Sequence, residues 1–142
     1  MTLFADQSRE SLRAAYRDAW QRWQQRAPLQ PFEAQLADVI RLHPEYQPLL
    51  QDERSLTQDF AAEGARDNPF LHMGLHLALR EQVSTDRPQG IAAIHRRLVA
   101  AMGSEHAAEH RMMELLAATL WESQRRGQPA DEAAYLEQLR RL

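Results

Sequence analysis

Residues 68–84 read NPFLHMGLHLALREQVS. Asn68 is a good helix N-cap, and Pro69 suits the first helical position, where the missing amide costs nothing. From there Phe70, Leu71, Met73, Leu75, Leu77, Leu79 and Val83 make the segment apolar nearly all round. Such a helix buries every side, so the spacing predicts a central helix over 69–84. Two histidines, His72 and His76, sit four residues apart within it and therefore on one face.

The flanking sequence supplies the helices that would pack around it. A first helix is predicted from about Asp6 to Arg26, with Leu12, Tyr16, Ala19, Trp20 and Trp23 at three and four spacings. Pro28 ends it, and Pro31 opens a second with Phe32, Leu36, Val39, Ile40 and His43 together. Pro44 stops that helix, and Tyr46, Leu49 and Leu50 make a short turn. Gln51 to Asp67 is mostly polar, anchored by Leu56 and Phe60, and reads as a long loop.

On the C-terminal side, Asp86 to Gly90 is a turn, followed by a helix carrying Ile91, Ile94, Leu98, Val99 and Met102. Gly103 fits its C-cap, and Ser104 caps the next helix, which runs to about Arg126 with Met113, Leu116, Leu120 and Trp121 inward. A last helix from Asp131 buries Tyr135, Leu136 and Leu139. Six helices and no strand signal predict an all-α bundle, and the absence of linkers and repeats predicts a single domain over 1–142.

Composition narrows the function classes. With 44% hydrophobic and 26% charged residues the chain is globular in balance. Net charge is −3, and no basic stripe is visible, so nucleic acid is not an expected partner. Cysteine is absent, which excludes disulfides, thiolate nucleophiles and Cys-based metal sites. The N-terminus has no apolar stretch of a signal peptide, and no run spans a bilayer, so a cytoplasmic protein without membrane association is expected.

His106 and His110 repeat the four-residue spacing of His72 and His76 on a second helix. At about 100° per residue, Leu79 and Val83 continue the first pair's stripe, and Met113, Ala117 and Leu120 continue the second. Both pairs thus lie on apolar faces, where each unpartnered imidazole would cost about 1–3 kcal/mol. Facing helices of a bundle are a usual place to build a metal site from such groups. Glu114 extends the His106–His110 row, and Glu33 flanks the second helix's apolar face, so either can complete the shell with a carboxylate. Imidazole with carboxylate suits iron or zinc.

The competing reading is structural: wet or hydrogen-bonded histidines at helix ends, as His43 and His95 on other apolar faces illustrate. His106-Ala-Ala-Glu109-His110 also matches the inverted zincin string, two zinc ligands and a general base. The chain is too small and too uniformly helical to look like those peptidases. No catalytic residue is assigned.

The strings His43-Pro44-Glu45-Tyr46, Asn68-Pro69-Phe70-Leu71-His72 with His76, Glu109-His110 through Met113-Glu114, and Trp121-Glu122-Ser123-Gln124-Arg125 carry a resemblance. Together with Pro129 and Tyr135-Leu136 they resemble the proteobacterial domain-of-unknown-function family eighteen forty-one. That resemblance implies a short bacterial protein rather than a fragment, and it implies no activity. Two readings therefore stand: a helical bundle binding iron or zinc through His72, His76, His106 and His110 with Glu114 or Glu33, or a metal-free interaction or structural protein. In either case a protein partner or self-association is the expected contact.

Overall fold

Capping chemistry decides where these helices begin and end. The computed structural model describes residues 2–60 and 68–142, with side chains from residue 9 onward. Its α-helices are α1 (Thr2–Gln24), α2 (Pro31–Arg41), α3 (Gln47–Leu50), α4 (Pro69–Thr85), α5 (Ile91–Met102), α6 (Glu105–Arg126) and α7 (Glu132–Arg140). Two 3-10 turns, Pro44–Tyr46 and Glu53–Leu56, flank α3. Among the described residues there is no strand, and the protein is all-α as expected.

Each predicted cap is in place. The Asn68 side-chain oxygen accepts from the amides of Phe70 and Leu71 at 3.0 and 3.4 Å. Ser104 accepts from Ala107 at 3.2 Å, and Asp131 accepts from Ala134 at 3.0 Å. Such a cap stabilises a helix by about 1 kcal/mol. Gly103 and Gly127 close α5 and α6 at φ +74° and +64°, a conformation that favours glycine. At α5 the amides of Gly90 and Ala92 are instead satisfied by the Asp86 carboxylate, at 3.0 and 3.1 Å.

The chain divides into two compact units, Met1–Met73 and Gly74–Leu142, with the boundary inside α4. In the first, α1 packs on α2, on α3 and on the turn Glu53–Leu56. Tyr16, Ala19, Trp20, Leu36, Val39, Ile40 and Leu50 are buried there. Arg13 is also buried, and its Nη1 donates to the carbonyls of Ser55, Leu56 and Gln58 at 3.1, 3.3 and 2.9 Å. Its guanidinium lies over the rings of Phe60 and Phe70, 5.4 and 4.9 Å from their centroids. The segment read as loop thus contains a 3-10 turn tied to α1 through one side chain. The remainder of that reading, 61–67, lies outside the described residues.

In the second unit, α6 packs against α5 and α7, and α5 also meets α7. Leu79, Ile91, Ile94, Leu98, Ala108, Met112, Met113, Leu116, Tyr135 and Leu139 form one core cluster. The Tyr135 hydroxyl donates to Gln82 Oε1 at 2.8 Å.

The helical stripes are narrower than the sequence suggested. Leu71 and Ala78 of α4 are exposed, so that helix is not buried on every side. Leu12, Trp23, Phe32 and Leu120 are exposed as well, and Trp121 is 63% exposed. The inward row of α6 runs Ala108, Met112, Leu116, and Trp121 falls about half a turn away from Met112 at 100° per residue. Arg125 covers one face of the Trp121 ring, 5.5 Å from its centroid. Among the described residues no helix is long and apolar enough to cross a membrane.

Replacing Arg13 by Ala leaves three backbone acceptors without their cationic donor. Charge-assisted bonds of this kind contribute about 1.5–3 kcal/mol each, though not additively. Denaturant unfolding of Arg13→Ala is therefore expected to show a loss of about 2–4 kcal/mol, with faster amide exchange over 53–60 while α6 and α7 keep their protection.

Candidate metal centre

Within the second unit, α4 contributes His76 and Arg80, one turn apart, and α6 contributes His106, Glu109 and His110. Glu109 lies on the α6 stripe that continues through Met113 and Leu116, and this register buries it to 1% exposure. His76 is fully buried, on the face that also carries Leu79.

A carboxylate that has lost its water is costly unless charge and donors replace it. Glu109 receives both. His76 Nδ1 stands 2.7 Å from Oε2, and Arg80 Nε donates to Oε1 at 2.8 Å with Nη2 3.4 Å from Oε2. Burial by itself pushes the Glu109 carboxyl up, but the hydrogen bonds from His76 and Arg80 and the Arg80 charge outweigh it. The net direction is below the ordinary carboxylate value. Glu109 is thus an anion near neutral pH.

An ionised carboxylate only accepts, so the proton of His76 is on Nδ1. In the neutral ring the lone pair is then on Nε2. That atom lies 3.0 Å from His110 Nε2. The His106 ring stacks on His76, with centroids 5.2 Å apart and planes within 13°, and meets His110 at 4.1 Å. Ligand atoms of these three rings all fall within 4.8 Å of one another. The arrangement is a carboxylate–histidine couple aimed at His110, with the His106 ring stacked on His76. It is the form in which a metal-ligating histidine usually has its tautomer and ring plane held.

The remaining residues of the sequence-based set have the following partners within their own units. His72 belongs to the first unit, where its Nε2 is 3.1 Å from Nε2 of His43. His43 is buried, with Nδ1 2.8 Å from the Val39 carbonyl and its ring stacked on Tyr46. Glu114 has a 66% exposed side chain and pairs with Arg111 at 2.8 Å. Glu33, also in the first unit, accepts from the Gln30 amide at the start of α2 and pairs with Arg22. Within the second unit, Glu109 is a carboxylate hydrogen-bonded to His76. In the sequence Glu109 stands out within the H-x-x-E-H string and the string Glu109-His110 through Met113-Glu114, neither of which identifies it as the partner of His76. Its position four before Met113 and seven before Leu116 was the signal: an acid on a core stripe must have a partner.

Residues 8–141 match the model of the family described as Domain of unknown function (DUF1841), and the chain belongs to that family. No curated protein and no solved structure matches it significantly.

Because the folded-state Glu109 carboxyl titrates below its unfolded value, the unfolded chain takes up that proton first on acidification. The stabilisation is therefore fully present above the unfolded value, near 4.5, and is lost as pH falls through the lower folded value. Denaturant titrations across this range are expected to give a shallower acid slope for Glu109→Gln than for the parent chain. An identical slope would remove Glu109 from the acid limb.

Proposed function

We propose that this DUF1841 chain binds one transition-metal ion, zinc or iron, through His76, His106 and His110, with Glu109 holding His76 in the ligating tautomer. The 3.0 Å separation of the His76 and His110 Nε2 atoms carries the reading. Two metal–nitrogen bonds of about 2.0–2.1 Å put their nitrogens about 2.9 Å apart at a right angle and about 3.3 Å apart in a tetrahedron. The observed distance falls between these values, with the two nitrogens supplied by two helices.

The same distance in the metal-free protein is an N–H···N hydrogen bond, with His110 donating and His76 accepting. For Nε2 of His110 to serve as a ligand instead, its proton would sit on Nδ1, leaving the ring neutral. Three neutral imidazoles impose no net charge on the ion, and the nitrogen donors favour borderline metals over magnesium or calcium. Arg80 keeps the nearby Glu109 from being an uncompensated negative charge when the ion is absent. The chemistry available to such an ion is Lewis-acid or redox chemistry according to the metal, and no side chain here identifies a substrate.

Elemental analysis of protein purified without chelator is expected to give about one zinc or iron per chain. His110→Ala should lose the metal while keeping its far-ultraviolet circular dichroism. Glu109→Gln, which leaves all three ligands, should weaken binding by about 10–100-fold. Affinity should fall on acidification, since ligating imidazoles must be deprotonated. Protein that takes up neither metal from a buffered solution, with His110→Ala melting at the parent temperature, would leave the metal-free interaction protein as the better reading.

A further inference from the structure

Glu109 faces a second group of donors that the histidine cluster does not use. A cavity of about 190 Å³ in the second unit is lined by Arg80 and Glu109, by His95 of α5, and by Glu105 from the first turn of α6, with Leu79 and Val83 as an apolar wall. At about 30 Å³ per water, that space takes roughly six waters, enough for a partly hydrated small cation. Ligand atoms of His95, Glu105 and Glu109 all lie within 4.8 Å of one another. An acidic residue in a first turn is ordinary for a helix N-terminus. The dipole gives no reason for an imidazole from α5 and a buried carboxylate to converge on it.

We propose that His95, Glu105 and Glu109 form a second site, for a hard divalent cation such as manganese, at which the Arg80 guanidinium occupies the cation's electrostatic place in the structure described. The lining selects the sign of the ligand: two carboxylates outnumber one guanidinium, which favours a cation. One imidazole with two carboxylates is a harder donor set than three imidazoles, which directs manganese here and zinc to His76, His106 and His110. Arg80 holds Oε1 of Glu109 at 2.8 Å, whereas His76 takes Oε2. A cation entering the cavity thus competes with Arg80 for Oε1 and leaves the His76 bond intact. Arg80 can yield, because its side chain is 28% exposed and can swing to solvent.

The proposal does not rest on metal occupying the histidine cluster, and the two are separable by experiment. Manganese(II) is titrated into the full chain, and the unbound ion is followed by electron paramagnetic resonance. The parent chain should bind one manganese, and His110→Ala should bind it equally well. His95→Ala and Glu105→Gln, both at incompletely buried positions, should each weaken it at least tenfold. Arg80→Gln should bind more tightly than the parent, and manganese should raise its melting temperature by the larger amount. Circular dichroism of each variant establishes that it is folded. Manganese binding lost in His110→Ala but kept in Glu105→Gln would overturn the proposal. So would the absence of binding in both the parent and Arg80→Gln at millimolar manganese, or weaker binding in Arg80→Gln.

Discussion

The Glu109 carboxylate, 1% exposed on the core stripe of α6, is the constraint from which the chemistry of the second unit follows. A buried anion can persist only with a compensating charge and donors aimed at both oxygens, and removing one partner of such a pair typically costs about 3–5 kcal/mol. Arg80 supplies the charge, and His76 supplies a donor. Once His76 spends its Nδ1 proton on Glu109, its Nε2 must accept something. That requirement, rather than any direct attraction among imidazoles, explains why His110 stands against it at hydrogen-bond distance.

The same requirement makes the cluster a poor place for a purely apolar substitution. Under the proposed reading an ion would take the place between the two Nε2 atoms, and the carboxylate behind His76 would favour it by fixing the ring. A negative oxygen on the far side of an imidazole also raises the basicity of the nitrogen that faces the ion. Glu109 thereby couples two environments: nitrogen donors on one side, and on the other a carboxylate-lined cavity where Arg80 supplies the positive charge.

In the first unit the polar problems of the described residues are solved by the same local logic. Arg13 is satisfied by three carbonyls and two aromatic faces, which ties the segment around Ser55 to α1. His43, just past the end of α2, spends Nδ1 on the Val39 carbonyl of that helix and so presents Nε2 to His72. In both units a fixed acceptor chooses the tautomer, and the next histidine follows.

Helix existence was legible in the sequence because it depends on local signals. Pro69 after Asn68, Ser104 after Gly103, and Asp131 after Gly127 each act within one turn of themselves. The four-residue spacing of His106 and His110 put them on one face by helix geometry alone. That an acid at 109 must be paired was readable from its place on the stripe with Met113 and Leu116. Which residue pairs with it was not, because His76 and Arg80 are about thirty positions away and only packing brings them to its oxygens. Periodicity likewise marks Trp121 as apolar without saying whether another helix covers it, and it is exposed. Local hydrogen bonding and the 3.6-residue period thus determined the helices and their candidate faces. Tertiary structure decided the partners, because desolvation and charge compensation depend on what stands opposite a side chain.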